Sequence, residues 1–517
     1  MTDQEKNSPV RARAVDSIGA GTSASDLDET YDVYRQVDAA AVDPREARRV
    51  LRKIDWHVMP LLMGSYMLQY LDKSSINFAS VYGLQTGTHL HGQQYSWLAS
   101  IFYFGYLVAQ YPAGYLLQRY PAGKFIGLSM FGWSILLLTT PACHNFAGIA
   151  ANRFLLGVTE AVINPGFVLV MALWYRTDEQ PLRLVAYYCM NGVAGIFGGL
   201  LGYAIGHITA GLAQWQYVFL IFGAVGFAWA FVFIVFMPDL PTTARFLDRR
   251  ETVLAVERVA ANRQGVKNHH FKTDQLWQTL RDPKTWILFL MSVAAQVPNA
   301  ALSSFTAIVL ETFGFSALQA QYMQIPGSAI QIVSLLAAGC VCSRWPNMRC
   351  IVMLLGNLVC VAAAAALLVL NPTTVGGGGS THKWGRLVAV WLLSFISVGF
   401  SLSLTMVSSN VAGYTKKQLT AAFVFVGYCV GNIVGPQTFR AVEAPTYRSA
   451  YVAILVGFTF KTLGGLALYA YMWAVNRQRD RAAAADPRTP AERAQSAVEQ
   501  GMHDVTELDN KDFRYVL

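Results

Sequence analysis

Twelve apolar runs constrain this chain more than any other feature of its sequence. They lie at about 57–80, 95–118, 124–142, 146–172, 184–207, 217–237, 285–310, 319–342, 349–370, 387–409, 419–439 and 449–474. Each is close to the roughly 20 residues that a helix needs to cross a bilayer. In lipid the backbone must satisfy its own N–H and C=O groups, so such runs form helices. Only 14% of the residues are charged and 54% are hydrophobic, where a soluble chain carries about 25% charge. The expected fold is an all-α membrane protein with twelve transmembrane helices, and the polar stretch 238–284 divides them six and six.

Charge placement sets the expected orientation, because cytoplasmic connections collect Lys and Arg. The second, fourth, eighth and tenth connections hold Arg119 and Lys124, Arg176 and Arg183, Arg344 and Arg349, and Lys416 and Lys417; the sixth, 238–284, holds nine Lys/Arg. The first, third, fifth and seventh hold none, and the ninth and eleventh only Lys383, Arg386, Arg440 and Arg448. Both termini are therefore expected in the cytoplasm. The net charge of +9 belongs to these loops rather than to a nucleic-acid surface. The domain plan is a disordered arm over 1–50 ending in a basic surface helix (Arg45 to Lys53), a six-helix bundle over 51–237 and a cytoplasmic loop over 238–284. A second bundle over 285–475 and a largely disordered cytoplasmic tail over 476–517 complete it. Gly376 to Gly379 read as a flexible linker.

Within the apolar runs, a few charges stand out. The fourth carries Arg153 and Glu160. A charge at that depth costs at least a few kcal/mol and persists where it faces a wet cavity or a partner. Their spacing of seven is near two helical turns, so both leave one face, about 10 Å apart along the axis. The first run carries Tyr70-Leu71-Asp72-Lys73, with Asn77 beyond. Asp72 and Lys73 point about 100° apart and need not pair with each other. Asp72 can exchange a proton and Lys73 can hold an anion; Arg153 and Glu160 read as one cationic and one acidic station on the wall of a polar path. The competing reading for all four is a set of structural ion pairs that lock helices together.

Other signals are softer. The second run offers Tyr103, Tyr106 and Tyr111, of which Tyr106 sits at mid-depth beside Gly105. Glycines at 195, 198, 199, 202 and 206, and again at 427, 431 and 435, read as close helix packing between the halves. Asn432 is a mid-membrane amide that needs a partner, a ligand being one candidate. Lys461 reads as a helix-contact or snorkelling residue.

Several function classes drop out. None of the nine histidines falls mid-membrane, against a haem bundle or an intramembrane metalloprotease. There is no phosphate-binding P-loop. The seven cysteines form no C-x-x-C and read as small apolar residues. No cofactor, metal or enzyme activity is expected. Two six-helix halves suit a carrier that rocks around a central site.

The residues also carry a family resemblance, over about 50–480. The second run reads Y-P-A-G-Y-L-L-Q-R-Y-P-A-G-K and the fourth R-F-L-L-G-V-T-E-A, then P-G-F and W-Y-R-T-D-E-Q-P-L-R. P-D-L-P-T-T-A-R-F-L follows the sixth. Around the eleventh stand S-N-V-A-G-Y-T-K-K, G-Y-C-V-G-N-I-V-G-P-Q-T-F and A-P-T-Y-R-S-A-Y. The chain resembles the major facilitator superfamily, its anion–cation symporter branch, and within that the fungal allantoate permease family. The resemblance implies proton-coupling carboxylates at Asp72 and Glu160, substrate-carboxylate binding by Lys73 and Arg153, and a polar pocket completed by Tyr70, Tyr106 and Asn432. Its substrates include allantoate, ureidosuccinate, small peptides and vitamin carboxylates. Two departures stand out. Lys73 replaces the Arg common outside fungi and lacks the bidentate fork, and Gln118 replaces the usual Asp of a cytoplasmic charge lock.

The expectation is a monomeric proton symporter of a small organic anion in the plasma membrane, with no nucleic-acid partner. Export of an acidic metabolite and a non-transporting nutrient receptor are the alternatives.

Overall fold

The structure is a computed structural model that describes residues 44–176, 179–209, 211–260, 272–345, 347–370, 382–484, 489, 492–493 and 505–517. The expected disordered arm, save its last residues, and the Gly376 to Gly379 linker lie outside these. Among the described residues the long elements are helices: α1 Pro44–Ser80, α2 Gln94–Arg119, α3 Ala122–Thr139, α4 Phe146–Trp174, α5 Gln180–Ile205, α6 Gln214–Phe236, α7 Pro283–Thr312, α8 Ala317–Arg344, α9 Arg349–Val369, α10 Lys383–Asn410, α11 Tyr414–Gln437 and α12 Arg448–Ala484. Ten of them, α3 to α12, are long and apolar enough to cross a membrane. The other two, α1 and α2, are the more polar pair and bring Asp72, Lys73 and the second-run tyrosines into the fold.

Three of these helices are interrupted, two of them just before a proline. In α4 the break separates Phe146–Glu160 from Ile163–Trp174. Pro165 has no N–H for the carbonyl of Ala161 and crowds it, so the ladder stops directly after Glu160. A turn separates Ala317–Tyr322 from Ile325–Arg344 in α8, before Pro326, and a 3-10 turn over Leu393–Phe395 interrupts α10.

Helices α1 to α6 pack as one bundle and α7 to α12 as another, with α5 against α8, α2 against α11 and α1 against α7 across the divide. Arg45 to Lys53 is not a separate surface helix. It is the first part of α1, with Val50, Ile54 and Val58 buried. Among the described residues of the connection 238–284 are two short α-helices, Arg249–Ala260 and Thr273–Arg281. Arg249–Ala260 docks on the first bundle through Lys53–Glu251 at 2.5 Å, Arg250–Glu46 at 2.8 Å and Arg258–Glu179 at 2.6 Å. The hydrogen bond from Lys53 holds the Glu251 carboxyl below its ordinary range. Nearby, Arg183 grips Asp55 with two bonds of 2.6 and 2.7 Å.

The glycine stripes divide their work. Gly195 and Gly202 of α5 face the other half, where a Cβ would run into Ser328 Oγ and Gln321 Oε1, while Gly198 packs on Phe78 and Leu71 of α1 in its own half. The α11 stripe does not face the other half, contrary to its sequence reading. Cβ atoms on Gly427, Gly431 and Gly435 would lie 2.8, 2.5 and 2.5 Å from the carbonyls of Phe289, Val293 and Val297 on α7, inside the same half.

The hydrogen bonds joining the halves cluster at the end opposite the 238–284 connection. Gln93 Nε2 donates to Phe439 O at 3.0 Å, Ser100 Oγ to Ile433 O at 2.7 Å, Tyr95 OH to Ser304 O at 2.7 Å and Asn77 Nδ2 to Gln324 Oε1 at 2.9 Å. That end is closed.

Gly431→Ala should destabilise the protein by about 1–3 kcal/mol, because two backbones must part. Gly114→Ala, with no neighbour within 4 Å of its new methyl, should be neutral or stabilising by up to about 1 kcal/mol. Thermal unfolding of the two variants in one detergent measures the contrast.

Candidate functional site

Consecutive residues of α1 serve different surroundings. Asp72 points into the first bundle and is fully buried, while Lys73 is half-buried and faces the divide between the halves. The 100° step of the helix produces this separation. Lys73 Nζ donates to Tyr428 OH of α11 at 3.2 Å and lies 5.0 and 5.7 Å from the ring centres of Tyr103 and Tyr428. Its partners are thus a phenol and two ring faces, with no carboxylate in contact. An ammonium held in this way keeps its attraction for an anion, since ring faces offset only part of the desolvation.

Tyr103 and Tyr428 belong to an aromatic patch that continues across the halves. Ring centres are 6.0 Å apart for Tyr103–Tyr428 and Phe400–Tyr428, 5.9 Å for Phe425–Tyr428 and 5.6 Å for Tyr106–Phe425. Tyr106 is buried, and its hydroxyl accepts from Asn164 Nδ2 at 2.8 Å. Asn164 stands just past the break in α4, so the patch is tied to that break. Tyr70, half-buried, lies within electrostatic reach of Lys73 and Tyr428.

Behind Lys73, inside the first bundle, sit the other ionisable residues. Asp72, Arg153 and Glu160 are within electrostatic reach of one another, and Glu160 also of Lys73. Among the described residues neither carboxylate has a donor within hydrogen-bond geometry, although Trp133 stands near Asp72 and Gln69 near Glu160, and neither is exposed. Arg153 donates to Ser75 Oγ at 3.2 Å and sits over the Phe219 ring at 5.6 Å. It is turned toward α1 and α6 rather than toward the divide. Two cations and two carboxylates therefore share one region without forming close ion pairs. Burying ionised carboxylates without close donors is costly.

Two expectations change. Asn432 needs no ligand: it donates to Gln296 Oε1 at 3.1 Å and to Tyr428 O at 2.8 Å, and accepts from Asn299 Nδ2 at 3.2 Å. It fastens α11 to α7 one turn from Tyr428 and so fixes where Tyr428 stands. Lys461 does not snorkel. Its Nζ is wholly buried without a partner, and the amide of Asn357, also without a partner, lies close by, since a Cβ on Gly399 would be 2.7 Å from one and 2.3 Å from the other. The residue that sequence reasoning missed is Tyr428. The available signal was its place four residues before Asn432, on the same face of α11.

If the carboxylates were structural ion pairs, Asp72→Asn or Glu160→Gln would cost about 3–5 kcal/mol. The observed lack of partners predicts a loss of no more than about 1 kcal/mol for either. Thermal unfolding in detergent decides, and a large loss for both would mark them as helix locks.

The comparisons with known proteins agree with this architecture. A family model described as Major Facilitator Superfamily matches residues 62–436. An uncharacterized transporter of Schizosaccharomyces pombe is 37% identical, over 96% of this chain and 94% of its own. The allantoate permease of Saccharomyces cerevisiae is 31% identical, over 98% of this chain and 94% of its own. Among solved structures, a bacterial homolog of the human lysosomal transporter Spinster, in an inward-facing and unoccupied conformation, aligns with a TM-score of 0.58 at 15% identity, covering 83% of this chain and 97% of the other.

Proposed function

The chain belongs to the Major Facilitator Superfamily, in its allantoate-permease-like branch, and on that premise we propose that it couples protons to the import of a small organic anion. It is a multi-pass membrane transporter. The observation that carries the finer reading is Lys73: an ammonium at the divide between the halves, held by a phenol and two ring faces, with two buried carboxylates behind it that form no close ion pair among the described residues.

The proposed cycle follows from charge. With Asp72 and Glu160 protonated, Lys73 and Arg153 leave the site positive, and a carboxylate on the substrate takes the place of Tyr428 OH on Lys73 Nζ. Arg153, turned inward, contributes through its field rather than by contact. The aromatic patch of Tyr70, Tyr103, Tyr106 and Tyr428 packs the rest of the solute. Asn432 holds the α11 side of this patch in position. Loading with a monocarboxylate brings the centre from two positive charges to one, which lowers the cost of moving it through the apolar interior as the halves rock. Release of the substrate and then of the protons resets it.

The closed end in this structure is the one opposite the basic 238–284 connection. With the positive-inside rule, the proposal takes this closed end to be the one facing away from the cytoplasm. The plasma membrane and a monomeric state are part of the proposal. Allantoate, named for the yeast relative, is the first substrate to try, followed by ureidosuccinate and vitamin carboxylates.

Purified protein in liposomes tests the scheme with labelled allantoate. Glu160→Gln should lose accumulation driven by an inward proton gradient and keep exchange against internal allantoate. Accumulation equal to the unaltered protein would remove Glu160 from the coupling role. Lys73→Met should raise KM by about tenfold or more, the size of one charge-assisted hydrogen bond; an unchanged KM would place the anion elsewhere.

A further inference from the structure

At the end of the second bundle that carries the 238–284 connection, two lysines are buried side by side. Lys284 opens α7 and Lys416 lies in the first turn of α11, with 1% and 0% of their side chains exposed. Two buried ammonium groups require two negative charges. Asp282 supplies one, 2.8 Å from Lys416 Nζ and 3.4 Å from Lys284 Nζ. Burial alone would raise the Asp282 carboxyl, yet the two lysines outweigh that and hold it below its ordinary range.

The second charge comes from far along the chain. Glu507 is fully buried, and its Oε1 accepts from Lys284 Nζ at 2.6 Å and from Lys416 Nζ. Its Oε2 accepts from the Ala412 N–H at 2.8 Å. Three donors thus converge on one carboxylate, and the four charges sum to zero.

The tail was expected to be largely disordered, but residues 505–517 are held along their length. Asn410 brackets the backbone of Val516, with bonds of 3.0 and 2.7 Å. Asn476 does the same for Tyr515, both bonds at 2.9 Å. Arg479 Nη1 donates to Phe513 O at 2.8 Å. The Tyr515 ring lies 4.4 Å from Lys284 Nζ and 5.2 Å from the Arg479 guanidinium carbon. Thr506 Oγ1 donates to Gln278 Oε1 of the helix Thr273–Arg281 at 2.7 Å. Side-chain amides that bracket a backbone, a charged pocket and an aromatic seat are the parts of a site that reads a peptide.

We infer that this end of the second bundle is a peptide-docking site whose ligand is the chain's own segment 505–517, anchored by Glu507. The ligand class is an acidic peptide with aromatic residues at the places of Phe513 and Tyr515. Docked, the segment ties α7, α10, α11, α12 and the 273–281 helix together. Undocked, it leaves two ammonium groups with a single carboxylate, a site ready for the same peptide supplied in trans.

Hydrogen–deuterium exchange on the full chain tests this. Slow exchange is expected in 505–517, 410–416 and 273–281. Glu507→Lys should speed all three by about tenfold or more, and rescue by the segment supplied in trans separates loss of docking from misfolding. A synthetic peptide of residues 505–517, added to the Glu507→Lys protein, should restore slow exchange in 410–416 and 273–281. The same peptide with Glu507→Gln should need about tenfold more to do so. Exchange unchanged by Glu507→Lys, or no response to the peptide at millimolar concentration, would each overturn the proposal.

Discussion

An ionised side chain in a medium that cannot solvate it needs a partner, a proton or an exit. That constraint organises this molecule. Where partners exist, the charges are structural: Asp55 with Arg183 and Glu251 with Lys53 at the base of the first bundle, Asp282 and Glu507 with Lys284 and Lys416 at the base of the second. Where partners are missing, at Asp72, Glu160 and Lys461, the groups lie deep between helices. The same residue types therefore do opposite jobs according to whether an opposite charge is within reach.

The two bundles reach a similar arrangement by different chain segments. Each is capped, at the end bearing the connection, by an ion-paired element that is not one of its own long helices. In the first bundle the cap is the helix Arg249–Ala260. In the second it is Thr273–Arg281 together with 505–517. The opposite ends are instead joined to each other by uncharged bonds, from Gln93, Tyr95, Ser100 and Asn77. Neutral hydrogen bonds between halves can be exchanged for water at modest cost, whereas buried ion pairs cannot. The strong contacts thus lie within each half and the weaker ones between halves.

Much of this could be read in the sequence. Apolar runs of bilayer length, and charges set against them, are signals carried by single residues, so the helices and the unusual positions of Asp72, Lys73, Arg153 and Glu160 were legible. Pairing was not. Lys73 meets Tyr428 across 355 residues, and Lys284 meets Glu507 across 223, and no local pattern encodes either contact. A polar tail reads as disordered because composition counts charges without knowing that two buried lysines await one of them. Glycine spacing told that helices approach closely but not which helices, so the α11 stripe was given to the wrong partner. Asn432 was correctly flagged as an amide in need of bonds, but the bonds belong to α7 of its own half.

The interruption of α4 has a mechanical meaning. The first segment ends on Glu160, and the next begins at Ile163, with Asn164 reaching Tyr106. A carboxyl at a joint differs from one in the middle of a rod. Bending there needs no helical turn to be pulled apart, since the ladder is already open at Pro165. Glu160, the carboxyl proposed to gain and lose a proton, and the break in the helix are thereby one locus, so in the proposed cycle a change in charge would act at the joint without any relay through intervening side chains.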